Sequence, residues 1–153
     1  MVFSVPGYRL RQGSGLDRSL LVNFLSKTYE ELAGTQTFTH LADTVDRHLS
    51  SETPLWWVET EALPRSPVAC LWLGNAVDQQ WGDRHSYVLV LYVLPEHRRH
   101  GLATGLLATA QAWAQARGDR QIGLQVFADN TAALALYRKL GYRTHSLWLA
   151  KPL

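Results

Sequence analysis

The sequence has little of what would place the chain in a membrane, in an oxidising compartment or on nucleic acid. Cys70 is the only cysteine among the 153 residues, which excludes an internal disulfide and indicates a small core residue in a reducing, cytoplasmic compartment. No apolar run approaches the roughly 18 residues of a membrane span, and the first residues lack a signal-peptide pattern. A net charge of +2, with no basic run longer than two residues, gives no indication of a nucleic-acid partner. We therefore expect neither a membrane nor a nucleic acid as a partner.

The hydrophobic residues are numerous enough to build a sizeable core. They make up 46% of the 153 residues, and a soluble domain of this size buries about 70% of the surface that its unfolded chain exposes. No internal repeat, low-complexity tract or linker divides the chain. We therefore predict a single domain over residues 1–153.

Strand and helix patterns alternate along the chain. Short apolar or alternating runs between turn residues predict strands at 8–12, 54–61, 66–77, 86–94, 121–128 and 142–153. Apolar residues at helical spacing predict helices after a cap at Asp17, at 40–50, at 102–117 before Gly118, and at 130–141 between Asn130 and Gly141. Antiparallel strands followed by a strand–helix–strand–helix–strand order indicate the α/β class, with helices flanking a mixed sheet.

The stretch "PEHRRHGLAT" at 95–104 connects the apolar run of residues 87–94 to the helix that begins at Leu102. A helix that starts at a strand end directs its unpaired N–H groups, and the positive end of its dipole, at whatever lies there. Gly101 allows a positive φ, and Arg98 and Arg99 add planar donors suited to phosphate. The stretch therefore predicts a pyrophosphate site. It lacks the lysine and hydroxyl residue of a nucleotide P-loop and the glycine spacing of a dinucleotide fingerprint.

A second feature lies on the helix predicted at 130–141. Asn130 and Tyr137 are seven residues apart, which is two helical turns, and Tyr137 belongs to the apolar face of that helix. Asn130 follows a strand and can present its amide to a ligand. Because open α/β sheets bind ligands at the strand ends, we expect this helix start and the turn at 98–104 to meet in one cleft.

Together the two stretches resemble the GCN5-related N-acetyltransferases. The first signature of that family, Arg/Gln-x-x-Gly-x-Gly/Ala, corresponds here to residues 98–103, and the second corresponds to Asn130, Ala133, Leu136–Tyr137 and Gly141–Tyr142. The resemblance is firm from about residue 86 to 142. It implies a mixed, mostly antiparallel sheet whose central strand pair splays apart to form an acetyl-CoA cleft.

The resemblance also implies a role for each matching residue. The pantetheine arm would pair with the backbone of Leu91, Tyr92 and Val93, one of whose N–H groups would polarise the acetyl carbonyl. The pyrophosphate would bind the turn formed by Arg99, His100, Gly101, Leu102, Ala103 and Thr104, with Arg98 beside it. Asn130 would contact the pantetheine side, and Tyr137 would be the general acid that protonates the thiolate of coenzyme A. The acceptor would be a small amine, a peptide N-terminus or a lysine side chain.

The strand before the turn departs from the family pattern. Many members carry an acidic general base on that strand, whereas residues 87–93 contain no carboxylate. A base would come from a water chain or from Glu59, Glu61, Asp78, Asp83, Glu96, His85 or His145, and no base would be needed if the amine arrives neutral. A non-catalytic module that binds or senses acyl-CoA in the same cleft is the alternative.

Three further patterns have alternative interpretations. His97 and His100, with His85 nearby in sequence, could suggest a metal, but two histidines three residues apart on a loop, with a distant lone cysteine, do not reach the three or four ligands of a zinc site, so we expect no metal. Trp57 and Trp72 are either core residues or part of an acceptor pocket that Trp81 covers. The predicted last strand, "HSLWLAKPL", is an apolar sheet edge, which predicts a homodimer.

Overall fold

The structure, a computed structural model, describes residues 3–34 and 38–153. Within these residues the strands are β1 (Tyr8–Gln12), β2 (Leu55–Thr60), β3 (Pro67–Val77), β4 (Arg84–Val93) and β5 (Ile122–Leu124). The helices are α1 (Arg18–Ala33), α2 (Leu41–His48), α3 (Leu102–Arg117) and α4 (Thr131–Lys139). None of the helices in these two ranges is long and apolar enough to cross a bilayer.

The strands form one sheet in the order β1-β2-β3-β4-β5. Neighbouring strands pair antiparallel from β1 to β4, and β4 pairs with β5 in parallel. A parallel pair needs a crossover connection, which α3 supplies between β4 and β5. The predicted mixed, mostly antiparallel sheet with flanking helices is therefore confirmed.

The two faces of the sheet carry separate apolar clusters. Residues of α1 and α2 pack on one face with Trp57, Trp72 and Tyr92, and residues of α3 pack on the other face. Trp57 is 0% and Trp72 is 1% exposed, so both are core residues and neither lines an open pocket. Cys70 is buried in the first cluster, and burial raises the pKa of its thiol.

Strands β4 and β5 pair only near the start of β4. The paired residues are Ser86 with Ile122, Tyr87 with Gly123 and Val88 with Leu124. At Leu89 the register of β4 against β3 shifts, because Trp72 pairs with Val90 and Leu73 with Val88. Such a bulge bends a strand and increases its twist. Residues 89–93 therefore continue without β5 beside them, and the pair splays apart as predicted, although β5 is an edge strand here.

A glycine on β3 makes room for this bulge. A Cβ added at Gly74 would lie 2.8 Å from Cδ1 and 3.0 Å from Cγ of Leu89. Real Cβ atoms do not approach other carbon atoms so closely. Gly74 therefore lets the Leu89 side chain lie against β3, where a larger residue would push the bulge outward.

The predicted strands at the end of the chain are wrong in extent. β5 covers Ile122–Leu124 instead of 121–128, and residues 142–153 form no strand. Leu147, Trp148 and Leu149 are 78%, 80% and 85% exposed. A strand as short as β5 offers few backbone partners, and three consecutive apolar residues lack the alternation that buries one face of an edge strand.

The helix ends follow the predicted capping residues in all but one case. The side chain of Asn130 caps α4, and Gly118 ends α3 with a φ of 90°. Asp17 makes no side-chain cap to α1, because its carboxylate accepts the N–H of Ser14 in a capping box around a 3-10 turn at Gly15–Asp17. Asp17 therefore occupies the N-cap position as predicted but makes no side-chain cap, and α2 is shorter than the predicted range 40–50.

Candidate active site

The turn between β4 and α3 has two residues in the left-handed region of backbone conformation. Arg99 has a φ of 63°, and Gly101, which directly precedes α3, has a φ of 81°. In the part of the chain that the structure describes, the N–H groups of residues 99–104 have no backbone acceptor. These consecutive unpaired donors, together with the positive end of the α3 dipole, suit a negatively charged group such as a pyrophosphate.

Strand β1 holds this turn in place through a tyrosine. The hydroxyl oxygen of Tyr8 lies 2.9 Å from Nδ1 of His97. The centroid of the Tyr8 ring lies 5.7 Å from that of His97 and 5.9 Å from that of His100. His100 also places its Nδ1 3.1 Å from the carbonyl oxygen of His97. The His100 side chain is therefore held against β1, and a contact of its backbone N–H with a ligand stays a prediction.

The last residues of β4 contact the two apolar clusters in alternation. Leu91 and Val93 pack against the cluster that contains α3, whereas Tyr92 is buried in the cluster that contains α1 and α2. Because β5 leaves β4 after Val88, the backbone of Leu91–Val93 has an open edge on that side within the described residues. An open strand edge can bind an extended ligand arm as it would bind another strand.

Arg98 makes its hydrogen bonds to the protein itself. Its Nη2 donates to both carboxylate oxygens of Glu31, at 2.7 and 2.8 Å, and its Nε donates to the carbonyl oxygen of Val93 at 2.9 Å. The Tyr92 hydroxyl donates to Oε1 of the same Glu31 at 2.5 Å. Whether Arg98 also contacts a phosphate stays a prediction, because its guanidinium is oriented toward α1 here.

These contacts shift the pKa values of two of the groups. Burial would raise the pKa of Glu31, but the hydrogen bonds from Tyr92 and Arg98 outweigh burial, and the pKa lies below its ordinary value. Burial and the neighbouring Glu31 carboxylate raise the pKa of Tyr92 to about 12. Glu31 was missed in the sequence because 61 and 67 residues separate it from these partners and no local motif marks it.

A pocket of about 340 Å³ opens beside these residues. It is lined by Lys27, Glu30, Glu31, Tyr92, Leu94, Pro95 and Glu96. Three carboxylates against one lysine make its lining acidic. Glu96, one of the general bases considered from the sequence, therefore lies at the same end of β4 as the turn.

Helix α4 brings Tyr137 to the face of the sheet that carries α3. Tyr137 packs against the cluster that contains Leu102, and Leu91 and Val93 pack against the same cluster. Burial raises the pKa of the half-buried Tyr137 phenol, so the hydroxyl is protonated at neutral pH. Asn130 uses its side-chain oxygen to accept the N–H of Ala133 at 3.2 Å, which orders the first turn of α4. The two sequence motifs thus meet at one cluster.

The remaining candidates for a general base lie elsewhere. Glu59 accepts a hydrogen bond from Arg11 at 2.6 Å, and Glu61 is exposed. A second pocket, of about 150 Å³, is lined by Asp78, Trp81, Asp83, Arg84, His85, Arg120, Gln121 and His145. It lies at the start of β4, about 30 Å of extended strand away from the turn. In residues 3–34 and 38–153 no three His, Cys, Asp or Glu side chains are grouped for a metal ion.

The sequence of the chain matches a known protein family and several of its members. The model of the acetyltransferase (GNAT) family matches residues 20–142. Over 122 residues the chain is 30% identical to N-acetyltransferase family 8 member 3 of Mus musculus, with 78% of this chain and 53% of that protein covered. Over 53 residues it is 38% identical to aminoglycoside N(6')-acetyltransferase type 1 of Acinetobacter haemolyticus, with 35% of this chain and 37% of that protein covered. The chain thus spans about a third to a half of the length of these relatives.

A solved structure gives the same fold. A predicted acetyltransferase of Clostridium acetobutylicum, solved with acetyl-CoA, superposes with a TM-score of 0.79 at 20% sequence identity. The superposition covers 95% of this chain and 96% of that one. The family model matches well over half of the residues of the chain, and both sequence motifs lie at one face of the sheet. The chain therefore belongs to the acetyltransferase (GNAT) family.

Proposed function

We propose that the chain is an acetyl-CoA-dependent N-acetyltransferase that transfers an acetyl group to a primary amine. One observation carries this proposal: Leu102 of the turn with unpaired N–H groups, Leu91 and Val93 of the open strand edge, and Tyr137 all belong to or pack against one apolar cluster. Acetyl transfer from a thioester needs a binding site for the pyrophosphate, a hydrogen-bond donor for the acetyl oxygen and a proton donor for the thiolate. The turn supplies the pyrophosphate site, the backbone of Leu91–Val93 supplies the hydrogen-bond donor, and Tyr137 supplies the proton.

Each residue has one task in the proposed reaction. Acetyl-CoA supplies the acetyl thioester when it is bound. The N–H groups of residues 99–104 bind the pyrophosphate, and Arg99 adds positive charge. An N–H of Leu91–Val93 donates to the acetyl oxygen and stabilises the negative charge that develops there as the amine attacks. Tyr137 gives its proton to the departing thiolate. Because a thiol has a pKa of about 8.5, the thiolate is already a fair leaving group, and the proton makes a modest contribution to the rate.

The acidic pocket favours an amine as the acceptor. Glu30, Glu31 and Glu96 line it next to Tyr92, so a positively charged amine is attracted on arrival. Glu31 is held by Arg98 and Tyr92, so we assign the acceptance of the amine proton to Glu96. The acceptor classes are a small amine, a peptide N-terminus and a lysine side chain. The name of one relative, an aminoglycoside acetyltransferase, makes an amino sugar the first acceptor to test.

The alternative function is a module that binds acyl-CoA without turning it over. Both proteins would bind coenzyme A, but only the enzyme releases free thiol when an amine is added. The chain should therefore be incubated with acetyl-CoA and kanamycin, spermidine, or peptides with a free N-terminus or a lysine, and free thiol and acetylated amine measured. We expect thiol release that requires both the chain and one of these amines. Binding of acetyl-CoA with no amine-dependent release in any class would favour the module.

Assembly and location are part of the same proposal. Leu147, Trp148 and Leu149 are exposed, and they follow His145, whose Nε2 lies 3.7 Å from Asp78 Oδ2. Exposed apolar side chains grouped in this way mark interaction sites, and we assign this one to a second copy of the chain. Light scattering at micromolar concentration should give a dimer that Trp148→Ser converts to a monomer; a monomeric wild-type chain would contradict the assignment. The buried free thiol of Cys70 supports a cytoplasmic location.

A further inference from the structure

One carboxylate connects the acceptor side of the candidate site to its cofactor side. Glu31 lies in the last turns of α1, and its carboxylate accepts the Tyr92 hydroxyl at 2.5 Å and Arg98 Nη2 at 2.7 and 2.8 Å. Arg98 directly precedes the turn 99–104, and its Nε also holds the carbonyl oxygen of Val93 at 2.9 Å. Through these hydrogen bonds α1 is attached both to the end of β4 and to the start of the turn.

The stability of the fold does not explain this arrangement. The side chains of Arg98 and Glu31 are 43% and 40% exposed, and exposed ion pairs contribute little to stability. A surface pair with so little effect on stability has three further features here. The guanidinium Nη2 donates to both carboxylate oxygens, the guanidinium lies 5.6 Å from the centroid of the Tyr92 ring, and its Nε donates to the β4 backbone. Those features constrain the position of α1 relative to β4.

We propose that Glu31 is a positioning residue that couples the binding of coenzyme A to the ordering of α1, an inference that rests on the proposed function. Coenzyme A at the turn and along Leu91–Val93 restricts the backbone to which Arg98 is attached. Arg98 and Tyr92 then hold Glu31, and with it the wall of the acidic pocket that Lys27 and Glu30 also line. Because coupling between two sites is reciprocal, an acceptor that orders α1 tightens the binding of the cofactor by the same factor.

Hydrogen exchange of α1 with and without coenzyme A tests this coupling. In the wild-type chain, saturating coenzyme A should slow exchange of the N–H groups of residues 26–32 about fivefold, the lower end of typical couplings between sites. Glu31→Gln keeps the size of the side chain but removes its charge, so the slowing should disappear even at saturation. Tyr92→Phe removes one of the hydrogen bonds to Glu31 and should retain only part of the slowing.

A matched control lies at the other end of the same helix. Arg18 binds Asp46 through Nε and Nη2, at 2.5 and 2.9 Å, in an ion pair that joins α1 to α2 and does not involve β4. Asp46→Asn should therefore leave the slowing caused by coenzyme A unchanged. A merely structural Glu31 would raise exchange equally in the free and bound chains, so the difference between the two states separates positioning from stability.

The outcomes distinguish this inference from the proposed function. Slowing in Glu31→Gln equal to that in the wild-type chain, or no slowing in the wild-type chain, would overturn the coupling. If the wild-type chain at the same time releases thiol in an amine-dependent manner, the acetyltransferase proposal stands without the coupling. Failure to bind coenzyme A at all would overturn both.

Discussion

The turn before α3 and the helix α4 carry the two motifs of the site, and they are held in the fold in different ways. The turn leads into α3, which buries Leu102, Leu106, Leu107, Ala110 and Ala114, whereas α4 has no fully buried residue. The turn is shaped by backbone conformation at Arg99 and Gly101, and α4 is positioned by one cap and by partly buried side chains. The turn that we propose to bind the cofactor is therefore preorganised, while the position of the proposed proton donor, Tyr137, depends on the packing of one surface helix.

Between the two motifs, one carboxylate anchors the end of α3 to the start of β4. Asp119 Oδ2 accepts the backbone N–H of Ser86 at 2.8 Å and its hydroxyl at 2.6 Å, and Arg117 Nη2 donates to the same oxygen at 2.7 Å. The side chain of Asp119 is 2% exposed. This junction fixes where the chain leaves α3 for β5 and hence where α4 begins.

The largest expected effect concerns the proton donor. Tyr137→Phe should lower kcat about 100-fold, the low end of general acid catalysis, because the thiolate is already a fair leaving group. Affinity for acetyl-CoA should stay nearly unchanged, since the ring remains. Burial raises the pKa of Tyr137, so its hydroxyl stays protonated, and loss of activity through its ionisation should begin only above about pH 10.

Tyr142→Phe is the matched control for this prediction. The centroids of the Tyr137 and Tyr142 rings are 5.6 Å apart, and burial raises the pKa of Tyr142 to about 12. The control variant should keep its kcat in steady-state assays with the best acceptor. Full kcat in Tyr137→Phe across the pH range would mean that Tyr137 only packs.

The next effect concerns the preorganised turn. Gly101 has a φ of 81°, and an added Cβ would meet no atom within 4 Å, so Gly101→Val acts through backbone strain alone. The left-handed conformation costs an L-residue about 1–2 kcal/mol, so the dissociation constant of coenzyme A measured by calorimetry should rise about 5- to 30-fold.

Gly118→Val places the same strain at the other end of α3. Gly118 has a φ of 90°, and a Cβ there would also meet nothing within 4 Å. It should cost a similar free energy of unfolding but change the affinity for coenzyme A by less than about twofold. Equal losses of affinity in both variants would mean that the turn acts only through the stability of α3.

The smallest effect concerns the junction between the motifs. Burial would raise the pKa of Asp119, but hydrogen bonds from Arg117 and Ser86 outweigh it, and the pKa lies below its ordinary value. The ionised carboxylate thus stabilises the fold above the unfolded pKa of about 3.9, and this contribution is lost as the pH falls through the lower folded pKa. Asp119→Asn should lower the free energy of unfolding at pH 7 by about 1.5 kcal/mol and weaken its decline below about pH 4.

Asp83→Asn is the control for the junction. Asp83 pairs with Arg120 at 3.2 Å, and its side chain is 42% exposed. Its loss should change the free energy of unfolding, measured with urea, by less than about 0.5 kcal/mol. If both variants are equally stable across the acid range, Asp119 is not an anchor.

The contrast between the two motifs also explains which parts of the fold could be predicted from the sequence. Gly101, Gly118 and Asn130 act on their own backbone or that of their neighbours, so their positions could be predicted from single residues. The bulge at Leu89 depends on Gly74 across the strand pair, and local patterns do not contain that pairing.

Long-range contacts account for what could not be predicted about the site. The role of Glu31 depends on Tyr92 and Arg98, more than 60 residues later, and α1 carries no motif that marks it. The last strand was predicted from apolar composition at 142–153, but a strand also needs a partner with free backbone groups, and β5 is only three residues long. Apolar composition therefore predicted a strand that does not form, because composition does not show whether a pairing partner is present.

A crystal structure of the chain with coenzyme A bound tests most directly whether the two motifs act on one ligand. We predict that pyrophosphate oxygens lie about 3 Å from backbone nitrogens of residues 99–104 and that the Tyr137 hydroxyl lies within hydrogen-bond distance of the sulfur, directly or through one water. A pyrophosphate bound away from this turn, or a sulfur with neither contact to Tyr137, would contradict the account.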